Sequence, residues 1–237
     1  MYGSLFLLLI SFLFGGCSFD STQKPIQSDD FHIFEAKDGF RIDFYSGRTT
    51  ARQIQSQNGG VVLNGSYFGL LKSGVIYPAG LWIENKATLF PLDISDPNLG
   101  YVVSYTSYKN TLEIRKNSES KDQIDSCIFT SSECFAFQAG PLVLSGNILQ
   151  DFGESWHAYG KYERTLIGKT KSGKIFFFVF PKKISLTDVA QDILGNVLFQ
   201  KDPLTLLNLD GGPSTSYMDA RSYVHPDEKL PIFISIP

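Results

Sequence analysis

The sequence predicts an α+β fold: a single strand-rich domain with a mixed sheet core and few packed helices. Three observations carry this. Short apolar or alternating runs recur between Gly, Pro, Asn and Asp turn signals. Twenty phenylalanines and eleven tyrosines suit pleated, partly buried surfaces. Only one stretch sustains a helical period.

The chain of 237 residues opens with an uncharged segment, residues 1–17. Its apolar core, residues 5–14, is too short to span a bilayer but suits a signal peptide. Gly15-Gly16-Cys17 places small residues directly before a cysteine, the pattern of a bacterial lipoprotein with Cys17 lipidated. Phe14 and the lack of an early Lys or Arg depart from that pattern, and an ordinary secretion signal is the other reading. Residues 18–30 are polar, contain Pro25 and read as a tether. Residues 31–237 form the domain. The expected location is a bacterial cell envelope, facing periplasm or exterior, with the membrane engaged through the N-terminal lipid.

A net charge of −3 and a pI near 5.6 argue against a nucleic-acid partner. Beyond Cys17 the cysteines are Cys127 and Cys134, a pair that invites a disulfide in an exported protein. No His–Cys cluster has zinc spacing. No cofactor is evident; loops rich in Asp, Asn and backbone carbonyls suit calcium without forming a motif for it.

Along the domain, residues 31–35 and 40–44 read as two strands around Lys37-Asp38-Gly39. Val61-Val62-Leu63 is a short buried strand ending in Asn64-Gly65-Ser66-Tyr67-Phe68. Residues 80–84 and 88–90 flank Asn85-Lys86 as a hairpin. Residues 101–105 and 111–114 are further strands, and residues 115–134, polar and charged, read as a surface insertion. Residues 164–168 and 174–180 form a hairpin around Lys171-Ser172-Gly173. Ser185-Leu186-Thr187-Asp188 is a variant capping box. It opens a helix whose buried stripe runs through Leu186, Val189, Ala190, Ile193, Leu194, Val197 and Leu198. That helix stops before Asp202-Pro203.

The strand that follows, residues 204–209, delivers Asp210 to its carboxyl end, and Gly211-Gly212-Pro213-Ser214 turns away at once. Adjacent glycines can aim successive N–H groups at one anion. The plain alternative is an Asp-Gly turn. Gly168-Lys169-Thr170-Lys171-Ser172-Gly173-Lys174 imitates a phosphate loop, but Ile175 stands where Ser or Thr must hold magnesium and a strand follows instead of a helix. No Gly-x-Ser-x-Gly elbow is present. His32, His157 and His225 form no ligand pair; His157, near Arg164 in sequence, is the one placed to line a site.

Four ordered segments resemble the phosphodiester glycosidase family, which includes the enzyme that uncovers mannose 6-phosphate on lysosomal enzymes and many bacterial exported proteins. They are Val62-Leu63-Asn64-Gly65-Ser66-Tyr67-Phe68, Gln138-Ala139-Gly140-Pro141-Leu142-Val143, Arg164-Thr165-Leu166-Ile167-Gly168 and Asn208-Leu209-Asp210-Gly211-Gly212-Pro213-Ser214. Pro213 replaces the family's third glycine, and Tyr217 stands where smaller residues are usual.

The resemblance implies hydrolysis between an anomeric sugar carbon and a phosphodiester on a surface or periplasmic glycan. It implies Asp210 as general acid or base and Arg164 as a bidentate phosphate ligand; the plainer roles are Asp210 orienting Asn64 or capping its loop, and Arg164 in an ion pair with Glu163 or Asp151. The Gly211 and Gly212 amides, Ser214 and Thr165 would hold the oxyanion, Asn64 would bind a sugar hydroxyl or simply take a left-handed turn, and Gly140 would allow a close backbone approach. Glu84, Glu154, Glu163 and Asp219 are open choices for a second carboxylate. Two other readings use the same residues: a non-catalytic module binding an anionic glycan, or an envelope assembly protein.

Overall fold

The computed structural model describes residues 30–129, 134–153 and 155–237. The signal peptide, Cys17 and most of the tether, together with Glu154, lie outside them. Three larger sheets pack around one shared core, and Phe68–Leu70 pairs with Ile76–Pro78 in a fourth, two-stranded sheet. The central sheet has six strands in the order His32–Glu35, Ile175–Ile184, Tyr162–Thr170, Leu204–Gly211, Leu142–Ser145 and Ile148–Leu149. A second sheet orders Ala87–Phe90, Trp82–Glu84, Cys134–Ala139, Tyr101–Thr106 and Thr111–Lys116. A third orders Tyr223–Val224, Tyr217–Met218, Val61–Asn64, Leu230–Ile236 and Arg41–Thr49.

The fold is α+β, as the strand-rich pattern predicts. Within that class the mixed sheet is corrected: every pairing among the described residues is antiparallel. Adjacent strands here are joined by tight turns or lie as neighbours after long excursions. Neither route needs the right-handed helical crossover of a parallel pair.

The central sheet is buried on both faces, which explains its uninterrupted apolar run Ile175-Phe176-Phe177-Phe178-Val179-Phe180. Ile167, Phe177, Val179, Leu207 and Leu209 face the core shared with Leu63, Trp82, Phe137 and Ile232 of the other sheets. Leu166, Phe176, Phe178, Leu204 and Leu206 face the opposite way, onto the helix Leu186–Gly195. Ser185 caps that helix through the Asp188 amide at 3.1 Å.

Four local expectations change. The strands flanking Lys37-Asp38-Gly39 do not pair with each other. His32–Glu35 joins Ile175–Ile184 of the central sheet, and Arg41–Thr49 joins the C-terminal strand Leu230–Ile236, which the sequence reading did not anticipate. The helical stripe ends early. Asn196 accepts from the Leu198 amide and starts a separate turn, Val197–Gln200, so Val197 and Leu198 are 73% and 40% exposed while Phe199 is buried. The insertion at residues 115–134 holds a helix, Lys121–Phe129, whose Gln123 and Cys127 are buried against the second sheet, and Cys127 is disulfide-bonded to Cys134. A further helix, Ala51–Asn58, is opened by a complete Thr50–Gln53 capping box.

Candidate functional site

Asp210 ends the Leu204–Gly211 strand of the central sheet, and the 3₁₀ turn Gly212–Ser214 follows directly. Pro213 is no obstacle to this turn: it occupies the first turn, where its missing N–H would have had no helical partner. Gly212 adopts φ +61°, a conformation glycine takes without strain. Gly211 lies against the neighbouring strand, where an added Cβ would come within 2.6 Å of the Glu163 carbonyl. The acid is thereby pinned to the strand bearing Arg164 and Thr165.

The Asp210 carboxyl accepts the Gly211 N–H at 2.8 Å and is hydrogen-bonded by the Ser214 side chain. Surrounding protein strips it of water although the residue keeps an open edge. Desolvation outweighs both hydrogen bonds and pushes the carboxyl up to about 6. The Gly211 amide, expected to serve an oxyanion, is directed at Asp210 instead.

Arg164 and Thr165 leave their strand on opposite faces. Thr165, fully buried, donates to Asn64 Oδ1 at 2.5 Å. The same oxygen accepts the Ser216 amide at 3.1 Å, while Asn64 Nδ2 donates to the Asp210 carbonyl at 3.0 Å. Asn64 and Thr165 therefore hold the acidic strand end in place. Arg164 is 2% exposed. Its Nη2 donates to the His157 and Gly160 carbonyls at 2.5 and 2.7 Å, its Nε to the Ile184 carbonyl at 3.3 Å, and its guanidinium stacks 5.1 Å from the Tyr162 ring. Burial lowers its pKa. The expected phosphate fork is thus engaged in fastening the segment 157–160 to the sheet.

Gly140 does permit close approach. At φ +151° an added Cβ would sit 2.7 Å from the Asn98 carbonyl. Its own carbonyl accepts from the Tyr67 hydroxyl at 2.8 Å, and Asn208 Nδ2 donates to that hydroxyl at 2.6 Å. Desolvation and the Asp210 charge raise the Tyr67 pKa, so the phenol stays protonated beside the acid. Gln138, in the same motif, is structural: it binds the backbone of Leu81, Asp93 and Leu99.

Asn64, Gly211 and Ser214 thus bond Asp210 directly, Thr165 reaches it through Asn64, Gly140 lies near its strand through Tyr67 and Asn208, and Arg164 pairs with Gly211 across the sheet. Tyr67, Asn208 and Tyr162 belong to this network without having been singled out. Tyr67 follows the Asn64 strand end and Asn208 lies two residues before the acid, so both sat inside the quoted motifs. Tyr162 carried no sequence signal beyond its closeness to Arg164.

The sequence profile of the phosphodiester glycosidase family matches residues 56–231. The chain belongs to the phosphodiester glycosidase family. The catalytic domain of zebrafish N-acetylglucosamine-1-phosphodiester alpha-N-acetylglucosaminidase, solved auto-inhibited by its pro-peptide, has a similar fold. Its TM-score is 0.62 at 16% identity, over 87% of this chain and 76% of that one. A hypothetical protein from Synechocystis (TM-score 0.47, 12% identity, 90% of this chain, 60% of that one) also aligns. So does a protein described as exported from Burkholderia pseudomallei (TM-score 0.47, 11% identity, 87% of this chain, 73% of that one). No curated protein matches the sequence. All four family-like segments lie inside the matched region.

Proposed function

We propose that this phosphodiester glycosidase family member is a hydrolase that cleaves a sugar-1-phosphodiester between the anomeric carbon and the phosphate oxygen. The observation that carries this reading is Asp210, a carboxyl held near pKa 6 at an open strand end and gripped by an otherwise buried polar network. At that pKa the group is available as a proton donor to the departing phosphate oxygen near neutral pH. The Tyr67 hydroxyl and the N-terminal turn at Gly212 supply neutral polar groups beside it. Incubating the pure protein with a panel of sugar-1-phosphodiesters tests the reading. Release of free sugar is expected, falling by about 10²–10⁴-fold in Asp210→Asn. Full activity in that variant would remove Asp210 from the chemistry.

Cys17 is proposed as the lipidated residue, placing the domain on a bacterial envelope membrane with a surface or periplasmic glycan as substrate. Among the described residues no helix is long and apolar enough to cross a membrane. A second reading, an anionic-glycan binding module, is favoured by one feature: the Gly211 amide already serves Asp210. Glycan binding without turnover would support it.

A further inference from the structure

Glycoside cleavage commonly needs a second proton-handling group besides Asp210. Three of the expected carboxylates are engaged elsewhere. Glu84 accepts from Trp82 Nε1 at 3.3 Å, Glu163 pairs with His225 at 3.2 Å, and Asp219 accepts from the Tyr217 hydroxyl at 2.5 Å and the Ser222 amide at 2.6 Å. Glu154 lies outside the described residues.

A different acid stands across the network. Asp96 opens the 3₁₀ turn Pro97–Leu99, and its Oδ1 accepts from the Asn98 amide and Nδ2 at 2.8 and 3.0 Å. Asn98 Oδ1 in turn accepts from Ser155 Oγ at 3.0 Å, immediately before the helical turn Trp156–Tyr159 that carries His157. The Asn98 carbonyl packs on Gly140, whose own carbonyl receives the Tyr67 hydroxyl. The Asp96 turn, the His157 turn and the Gly140 strand end therefore form one wall. Arg164 ties this wall to the Asp210 strand pair through the His157 carbonyl. The His157 ring lies 6.1 Å from the Tyr162 ring, which also lies against the Arg164 guanidinium, Gly160 and Gly212. The Asp96 carboxylate acts electrostatically on both the His157 ring and the Tyr67 hydroxyl.

We propose that His157 is the base of the site and that Asp96 positions it through Asn98 and Ser155, on the wall that Arg164 ties to the Asp210 strand pair. The proposal rests on the hydrolase reading above. Water attacks the anomeric carbon as its bond to the phosphate oxygen breaks, and the bonding pair leaves with that oxygen. His157 takes the proton of the water, and Asp210 gives its proton to the departing phosphate. The products are the free sugar and a phosphate monoester. Proton return from His157 to Asp210 resets the site. Burial and Arg164 lower the His157 pKa despite Asp96, and burial raises that of Asp210, so both shifts favour the neutral forms the step requires. The charged groups on the helix packed against the His157 turn are Asp188 and Asp192, and Asp192 faces Asp30 and Asp188.

Titration of the His157 ring by NMR, in the intact protein and in Asp96→Asn, is the first test. The variant should titrate at lower pH, because Asp96 raises the imidazole pKa. An unchanged midpoint overturns the pairing. On any sugar-1-phosphodiester that the protein cleaves, His157→Gln should lose about 10²–10⁴-fold in kcat/KM together with the acidic limb of its pH profile. Asp96→Asn should keep that limb but move it to lower pH. An acidic limb that survives in His157→Gln overturns the role of His157. Absence of cleavage by the intact protein would sink the hydrolase reading instead, and the NMR titration would still decide whether the pair exists.

Discussion

Burial holds the Asp210 carboxyl at about 6, so its ionisation is linked to stability. The folded pKa lies above the unfolded one. The stabilisation is therefore complete below about pH 4 and is lost as pH rises through about 6. Above that pH the ionised carboxylate opposes folding by on the order of 3 kcal/mol. Asp210→Asn should accordingly be more stable than the parent at pH 8 and not at pH 4, and thermal unfolding at the two pH values measures it. An equal difference at both would contradict the raised pKa. Asn64 behaves differently, because its side chain satisfies Thr165, Ser216 and the Asp210 carbonyl at once. Asn64→Ala leaves those buried groups unpaired and should destabilise by about 1–3 kcal/mol or more, read from denaturant midpoints. Activity should fall with it, since the acid loses its support. The residue types at these positions were legible in the sequence. Their division into acid and supports was not, because it depends on which polar atoms meet across a sheet.

Elements with strong local signals formed where the sequence placed them. Asn85 and Lys86 both take positive φ between Trp82–Glu84 and Ala87–Phe90, and the false phosphate loop is a hairpin turn closed by Asp202 on the Ser172 amide at 2.9 Å. Periodicity failed where a side chain resets the backbone, as Asn196 does before Leu198. It also failed where the helix is short: Ala51–Asn58 buries only Ala51 and Ile54, too few apolar residues to make a stripe. Its capping box was the readable signal. Thr50→Ala should remove the bond to the Gln53 amide, lower stability by about 1 kcal/mol and shift Tm by about 2–4 °C. A larger loss would mean that Thr50 also supports the adjoining sheet.

At the scale of the molecule, three antiparallel sheets share one core, so a staple in one sheet supports the others. The Cys127–Cys134 bond fastens the helix Lys121–Phe129 to the second sheet across a separation of 7 residues. Loop-closure entropy for so short a loop gives about 2.5 kcal/mol, and denaturant unfolding with and without reductant should show a difference of that order. No difference would mean that the helix docks through packing alone. The sequence by itself determined the strand-rich class, the helix at Ser185 and the segments that mark the family, because turn chemistry, periodicity and motif order are local properties. Tertiary structure decided the rest. Antiparallel pairing, the partnership of Arg41–Thr49 with Leu230–Ile236 and the wall carrying Asp96 and His157 all join residues far apart in the chain. Whether Arg164 reaches outward or inward was settled by burial: a guanidinium inside the fold must be satisfied by whatever carbonyls surround it, and here they belong to His157, Gly160 and Ile184.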